Sequence, residues 1–182
     1  YFSNGIRISD TNLIKDIYGV YIYYSEDIAV HNVSMSSHVY GVYIESSLSV
    51  DIHNLTIPES RRHVQPIAYV GCLEDHPAYS CGIYIYDSSK VSISKLNITD
   101  VDAGLILLSS RKIDISESTI YAETINILIE ASSCISIYES TTTSEFIAIM
   151  ISESSKITIS GNLIERPNYA IIVEYSEYIT IV

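Results

Sequence analysis

The chain has 182 residues, of which 47% are hydrophobic, so it is long enough and apolar enough for one domain with a substantial core. Its 22 acidic residues against 10 Lys and Arg give a formal net charge of −12. This balance argues against a nucleic-acid partner, because phosphate binding needs clustered cations, and against polyanionic glycans unless Ca²⁺ bridges them. No apolar run is long enough to span a bilayer.

A 22-residue repeat organises the chain, and residues 82–98, GIYIYDSSKVSISKLNI, form its clearest copy. Positions are counted from the first residue of a copy, so that Gly82 is position 0. A partial copy opens the chain, and further copies begin at Gly19, Gly41, Gly104, Asn126, Ala148 and Ala170. A fixed period of this length is typical of solenoids. Residues 1–18 are predicted to form a partial turn, 19–57 two regular turns, 58–81 an insertion, and 82–182 an uninterrupted series.

Each copy predicts three short strands with their β-branched side chains on one side. The inward positions are +1 and +3, +9 and +11, and +16, where Thr142 is the one polar residue. The pairs at +1 and +3 are Val20 and Ile22, Val42 and Ile44, Ile83 and Ile85, Leu105 and Leu107, Ile127 and Ile129, Ile149 and Ile151, Ile171 and Val173. One turn cannot bury this side alone, so equivalent strands are expected to stack in parallel at about 4.8 Å per turn.

Position +6 is serine in every copy, from Ser25 to Ser176. A small hydroxyl in a recurring place suits a tight corner whose side chain bonds neighbouring backbone. We therefore interpret this row as structural, since no histidine accompanies each serine.

These turns resemble the repeats of right-handed parallel β-helices, the fold of pectate-lyase-like, polysaccharide-epimerase-like and NosD-like proteins. The resemblance covers nearly the whole chain outside residues 58–81. It implies an all-β, right-handed parallel β-helix of about eight 22-residue turns in a single domain, 1–182. It does not select a function, because one fold hosts many activities.

Both ends stop inside a repeat, at SNGIRI and at YITIV, and neither has a polar capping segment. A solenoid needs capped ends to avoid edge pairing. We therefore expect this chain to be a piece of a larger protein, or to be completed at each end by another chain.

The insertion holds Arg61, Arg62, His63 and the run 74–76 (Glu-Asp-His), and loops of this length are often functional. An equally open interpretation is a loop without a function, closed by a disulfide between Cys72 and Cys81, whose spacing permits one. Cys134 is expected to be a lone thiol. Two loop cysteines and three sequons, at Asn32, Asn54 and Asn97, favour an extracellular or cell-surface location with glycosylation.

The outer side of the first strand is unusually apolar, whereas the outer side of the second strand is mostly polar. The apolar row at +2, with the tyrosines of +4, comprises Tyr21, Tyr43, Tyr84, Ile106, Leu128, Met150 and Ile172, with Tyr23 and Tyr86. An exposed stripe of this size would exceed that of an ordinary monomer, so we expect a partner or ligand to cover it.

No catalytic residue is predicted. Glycosidases need two carboxyls within about 5–10 Å, yet Glu45, Asp87 and Glu130 do not form a tight pair, and Asp51 and Asp114 have no acidic partner in the next turn. The motifs Asn-Thr-Asp, Gly-His-Gly and Asp-Pro-His-Asp of hydrolase and epimerase members are also absent.

His31 and His53 share one position in adjacent turns and should lie about 5 Å apart. That is close enough to share a metal, but the sequence offers no sure third ligand, so neither a metal nor a cofactor is predicted.

The sequence favours a non-enzymatic extracellular structural segment that meets a protein partner, or copies of itself, through the first-strand outer face and open ends. The alternative is a polysaccharide lyase- or hydrolase-like enzyme, or a glycan-binding domain. In that case Tyr21, Tyr23, Tyr43, Tyr84 and Tyr86 would stack on sugar rings and the insertion would wall the site.

Overall fold

The computed structural model describes residues 3–14, 16–60, 68–70, 73–78 and 80–182. The described strands are, in chain order, β1 Ser3–Asn4, β2 Arg7–Ile14, β3 Tyr18–Tyr23, β4 Ser25–His38, β5 Tyr40–Glu45, β6 Leu48–Ser60, β7 Ala68–Val70, β8 Leu73–Ala78, β9 Cys81–Tyr86, β10 Ser89–Ser94, β11 Asn97–Leu108, β12 Arg111–Ser116, β13 Thr119–Glu130, β14 Ser133–Tyr138, β15 Thr141–Ser144, β16 Ile147–Ser152, β17 Ser155–Ser160, β18 Leu163–Glu165, β19 Tyr169–Glu174 and β20 Glu177–Ile181. No helix among these residues is long and apolar enough to cross a membrane.

The strands stack in parallel and in the register that the repeat predicts. Val42 of β5 pairs with Val20 of β3 below it and with Ile83 of β9 above it. The pairing of β5 with β9 keeps the register although the insertion separates these two strands in the sequence. The described part of the chain therefore coils into a parallel β-solenoid of about seven turns, because the first and last of the expected eight copies are partial. Strands β7 and β8 pair with each other, antiparallel, within the insertion.

The core lies inside the coil, as the alternation predicts. The side chains at +1, +3, +9, +11 and +16 of the central turns are buried in one continuous cluster. In the turn from Gly41, for example, Val42, Ile44, Ile52 and Ile57 are fully buried. Stacked copies of the same β-branched side chain fill this interior turn after turn, which is why the repeat specifies the fold.

The corners are made by single residues in the left-handed backbone region, at positions +5, +8 and +13 of each turn. In one turn these residues are Ala131, Cys134 and Glu139, with φ of 49°, 57° and 50°. Most of the corner residues are not glycine, although this conformation costs an L-residue about 1–2 kcal/mol. Hydrogen bonds between stacked turns must therefore hold the corners in place.

The serines at +6 supply such bonds and form a row that we call the serine spine: Ser25, Ser47, Ser88, Ser110, Ser132 and Ser154. The Ser110 hydroxyl donates to the Leu108 carbonyl oxygen at 2.8 Å and accepts from the backbone N–H of Ser88 at 3.1 Å. The same two bonds recur at Ser132, with Glu130 and Ser110. The predicted structural role of this row is confirmed.

Position 0 lies where the third strand closes back onto the first, and there is little room for a side chain. A Cβ on Gly82 would lie 2.7 Å from the carbonyl oxygen of Gly104 and 2.9 Å from Cδ1 of Ile98 at position +16. Real Cβ atoms do not approach so closely, so a side chain on Gly82 would force its neighbours to shift. Asn126 occupies this position in a later turn, where Thr142 replaces the aliphatic residue at +16.

Candidate functional site

Tyrosines cover the outer side of the first strand in the early turns. Tyr21, Tyr43 and Tyr84 follow one another at position +2, and we call these three residues the tyrosine ladder. Ring centroids are 5.2 Å apart between Tyr21 and Tyr43 and 5.0 Å apart between Tyr43 and Tyr84, with interplanar angles of 24° and 10°. The regular spacing follows from the register, because each ring belongs to the same place on successive turns.

The stacking changes what this surface offers to a ligand. Tyr43 has a ring against each of its faces, so the ladder presents mainly ring edges and hydroxyl groups to solvent. Tyr18 and Tyr40 pack beside it, at 5.4 and 5.3 Å from the Tyr43 centroid. Sugar rings therefore have little access to the ring faces on which the sequence suggests that they stack. The hydroxyl groups, repeated from turn to turn, are what this surface mainly offers to a ligand.

Glu45 lies on the same face, where its negative charge adds to burial, the main cause, in raising the pKa of Tyr21 and of Tyr43. Burial, and then the nearby Cys81 thiol, raises the pKa of Tyr84 to about 12. Burial is also the main cause of the raised pKa of Tyr43, with the negative charge of Glu45 as the next cause. These phenols therefore stay protonated and act as hydrogen-bond donors at any physiological pH.

Alkaline pH should destabilise the fold through this cluster. An unfolded tyrosine loses its proton near pH 10, whereas folded Tyr84 keeps its proton until about pH 12. Its contribution to stability is thus fully present below pH 10 and is lost as the pH rises through 12. Thermal unfolding followed by circular dichroism should show a midpoint that falls over this window. The fall should be smaller for Tyr84→Phe, and parallel curves for the two proteins would contradict the assignment.

The aliphatic part of the +2 row is not exposed, which corrects the sequence-based expectation. Ile106, Leu128 and Met150 are 0%, 2% and 1% exposed, and they belong to a second apolar cluster outside the coil core. Ile172 is half-buried at the edge of this cluster. Strand β8 of the insertion lies against β13, which carries Leu128. The predicted open stripe is therefore wrong for these three residues, because alternation shows which side a residue faces but not what covers that side.

At the other end of the row, Tyr21, Tyr23 and Tyr86 are exposed, while Tyr43 and Tyr84 are half-buried. The structure thus brings the five predicted tyrosines together on one accessible surface. The accessible part of the row carries hydroxyl groups and one carboxylate rather than aliphatic groups.

The sequons differ in their surroundings. The Asn32 side-chain amide donates to Asp10 at 3.0 Å, and that of Asn54 donates to Asn32 at 2.9 Å. Both residues also have left-handed backbone, so corner geometry and this amide ladder give them a structural role. Asn97 lies exposed in β11. Glycosylation at the three sites stays a prediction.

The predicted disulfide involves Cys72, which lies outside the described residues, as do Arg61, Arg62 and His63. Cys81 is buried and forms no disulfide with another described cysteine; its thiol donates to the Ile83 carbonyl oxygen at 3.2 Å, and burial raises the pKa of this thiol. Cys134 is an exposed free thiol. The disulfide stays a prediction.

The histidine pair lies on the polar side of the coil. The His31 and His53 ring centroids are 5.8 Å apart, close to the predicted spacing. Asp51, which the sequence could not place, accepts a hydrogen bond from Nε2 of His31 at 2.8 Å, and Nδ1 of His53 lies 2.9 Å from the Ser94 hydroxyl. Within the described ranges, no group of three or more His, Cys, Asp or Glu is arranged to hold a metal ion.

Two family models each match more than half of the chain. One is described as the right handed beta helix region and matches residues 1–123; the other is described as periplasmic copper-binding protein (NosD) and matches residues 67–182. No curated protein sequence matches.

Among solved structures, the chain resembles the A-module of mannuronan C-5 epimerase AlgE6 from Azotobacter vinelandii, with a TM-score of 0.57 and 11% sequence identity. The match covers 98% of this chain and 58% of that module, so the chain spans little more than half of its length. It also resembles PfbA, a surface adhesin of Streptococcus pneumoniae, with a TM-score of 0.32, 10% identity, and coverage of 97% and 70%. At these identities the likeness concerns the fold alone.

Proposed function

This chain belongs to the right-handed β-helix family, and from that premise we propose that it is an extracellular or periplasmic module that binds an extended glycan along its tyrosine ladder. The observation that carries the proposal is the repeat of one phenol per turn at 5.0–5.2 Å. This interval is comparable to the length of one sugar residue in an extended polysaccharide. A polymer lying parallel to the coil axis would meet an equivalent donor at each step.

The chemistry of the surface suits hydroxyl-rich ligands. The protonated phenols donate, and the Glu45 carboxylate is the acceptor that sugar hydroxyls need. Aromatic edges with polar tips are common where a binding surface must be apolar and hydrogen-bonding at once. A neutral glycan fits this surface better than a polyanionic one, because the chain carries a net charge of −12.

Binding, rather than cleavage, is what these groups supply. A general base works best when its pKa lies near the working pH, and burial moves the pKa of Tyr84 to about 12. The epimerase that shares the fold acts on mannuronan, a polysaccharide, but at 11% identity this supports only the suitability of the fold.

The proposed location rests on the NosD family, which is described as periplasmic. That description also names copper. Imidazoles are good copper ligands. Among the described residues, only the His31 and His53 imidazoles come together, and each already has one ring nitrogen hydrogen-bonded to an oxygen. The described residues therefore do not make a copper centre, and no step is derived through the metal.

The other candidate function is a structural segment that docks a protein partner on the +2 row. Part of its support came from the aliphatic residues of that row, of which Ile106, Leu128 and Met150 are buried within the chain itself. The hydroxyl-bearing part of the row is what remains accessible, and this favours the glycan.

The test is a double variant, Tyr43→Phe with Tyr84→Phe, which removes two hydroxyls and keeps the stacked rings. Isothermal titration against soluble extended polysaccharides, neutral and uronate, should show binding by the native protein to a neutral one. Two lost hydrogen bonds should weaken that binding about 5- to 100-fold. Tyr138→Phe is the matched control, because Tyr138 is exposed on the second-strand side and should not affect binding. No binding to any polysaccharide, or equal binding by the double variant, would overturn the proposal.

A further inference from the structure

Two buried polar atoms stand out inside the coil. In the described part of the chain, the Asn126 side-chain nitrogen Nδ2 and the Thr142 hydroxyl oxygen Oγ1 are buried with no hydrogen-bond partner. Asn126 is 0% exposed and Thr142 is 1% exposed. Native proteins satisfy nearly all buried polar groups, and one left unpaired costs about 1–3 kcal/mol. Both atoms therefore need a partner that the polypeptide does not supply.

From the contacts of the other turns we infer that the two residues lie beside each other, where the third strand closes back onto the first. They occupy positions 0 and +16 of one turn, where earlier turns place a glycine and an aliphatic residue. In the turn from Gly82, a Cβ would lie 2.9 Å from Cδ1 of Ile98. In the same way, a Cβ added to Gly41 would clash with Ile57, and one added to Gly104 would clash with Ile120. Position 0 thus points at the end of the +16 side chain.

Asn126 and Thr142 differ from the preceding turns in compensating ways. Asn126 is larger than the glycine at position 0 of those turns, and Thr142 is smaller than the aliphatic residue at position +16. Thr142 pairs in register with Ile120 and Ile164, so the backbone continues the ladder unchanged. Threonine has no δ-carbon, the isoleucine atom nearest to position 0 at Gly41 and Gly82, although it keeps Cγ2, the nearest isoleucine atom at Gly104. The two differences together make space between the two side chains and line it with polar atoms.

The orientation of the amide identifies what fills this space. Oδ1 of Asn126 accepts a hydrogen bond from the backbone N–H of Ala122 at 2.8 Å, which fixes Nδ2 as a donor pointing elsewhere. The surrounding ladders are aliphatic, so an ion there would be buried without a counter-charge. The ligand must be small and neutral, accept from an amide N–H, and bond a hydroxyl. We propose that Asn126 and Thr142 bind one buried water molecule, which accepts from Nδ2 and donates to Oγ1.

This water site distinguishes one turn of the coil from the others. Nearly identical aliphatic ladders allow a third strand to close one turn too early or too late at little cost. A shifted pairing would place Asn126 against an isoleucine and leave the Thr142 hydroxyl without water. The site therefore fixes the register of the repeat, in the way that a single buried polar residue fixes the register of a coiled coil.

A double-mutant cycle tests the proposal. Asn126→Gly and Thr142→Ile each break the pair, whereas the two together recreate the glycine–isoleucine contact of earlier turns. We expect each single variant to destabilise the protein in urea unfolding and the double variant to recover most of the loss. The interaction should amount to at least about fivefold in the unfolding equilibrium constant. The control pair combines Asn126→Gly with Thr158→Ile. Thr158 is exposed on β17, so its side chain does not face the buried Asn126, and the two effects should be additive.

The water itself is tested separately, by high-resolution crystallography of the native protein and of the double variant. We expect one ordered water within hydrogen-bond distance of both Asn126 Nδ2 and Thr142 Oγ1, and none in the double variant. A direct bond between the two side chains, an empty site, or additive effects in the cycle would each overturn the proposal.

Discussion

Replacing Leu128 with Ala should lower the free energy of unfolding by about 2–5 kcal/mol, the usual cost of emptying a buried leucine site. Tyr21→Ala, at the same position of the repeat, should cost less than about 1.5 kcal/mol, since an exposed ring loses mainly its aromatic neighbours. Leu128 is 2% exposed and Tyr21 is 51% exposed. Position +2 faces outward in every turn, so the difference depends on what lies over Leu128. Urea unfolding of the two variants measures it.

Equal, small effects of the two substitutions would show that Leu128 is exposed in solution. The apolar row would then again be a surface for a protein partner. A large effect of Leu128→Ala alone would support a second apolar layer outside the coil, formed by Ile106, Leu128 and Met150. The glycan proposal depends on this result only indirectly, because the tyrosine ladder lies in the earlier turns.

Ser110→Ala should destabilise the protein by about 1–3 kcal/mol, although it removes a single oxygen atom. The substitution deletes the bond to the Leu108 carbonyl oxygen and leaves the buried backbone N–H of Ser88 without an acceptor. An unsatisfied buried donor carries its full desolvation cost, whereas the net value of an ordinary hydrogen bond is smaller. Denaturant unfolding gives the free energy, and hydrogen exchange at the Ser88 amide should speed up.

The control for the spine is Ser92→Ala. Ser92 is exposed on the second strand, so its loss should change stability by less than about 0.5 kcal/mol. Similar effects at Ser92 and Ser110 would mean that the spine bonds add nothing beyond ordinary surface polarity. Ser110→Thr keeps the hydroxyl and, if its extra methyl group is accommodated, should recover part of the stability.

The two functional proposals fail independently. Loss of glycan binding would leave the Asn126–Thr142 water site untouched, since it lies inside a later turn. Additive behaviour of Asn126 and Thr142 would say nothing about the tyrosine ladder. The alkaline titration of Tyr84 connects the two only through overall stability, so its comparison uses one protein and its Tyr84→Phe variant.

The coiled fold could be predicted from the repeat alone. Alternating β-branched residues at +1, +3, +9 and +11, repeated every 22 residues, fix which side chains point inward, because side-chain direction in a strand has a period of two. In-register stacking then follows, and it places Tyr21, Tyr43 and Tyr84 in one row and His31 beside His53. The structural role of the +6 serines was predictable for the same reason.

The arrangement of the outer surface could not be predicted from the repeat and is seen only in the folded chain. The insertion has no repeat, so no periodicity predicts that β8 lies against β13 or that Ile106 and Leu128 are buried. The repeat does not specify side-chain torsion angles. These angles determine that the rings of Tyr43 and Tyr84 stack and that Asp51 accepts a hydrogen bond from His31. The pairing of Asn126 with Thr142 was hidden because sixteen residues separate two positions that meet only when the coil closes. Contacts between equivalent positions of successive turns can be predicted from the repeat, whereas contacts between non-equivalent positions depend on the path of the folded chain.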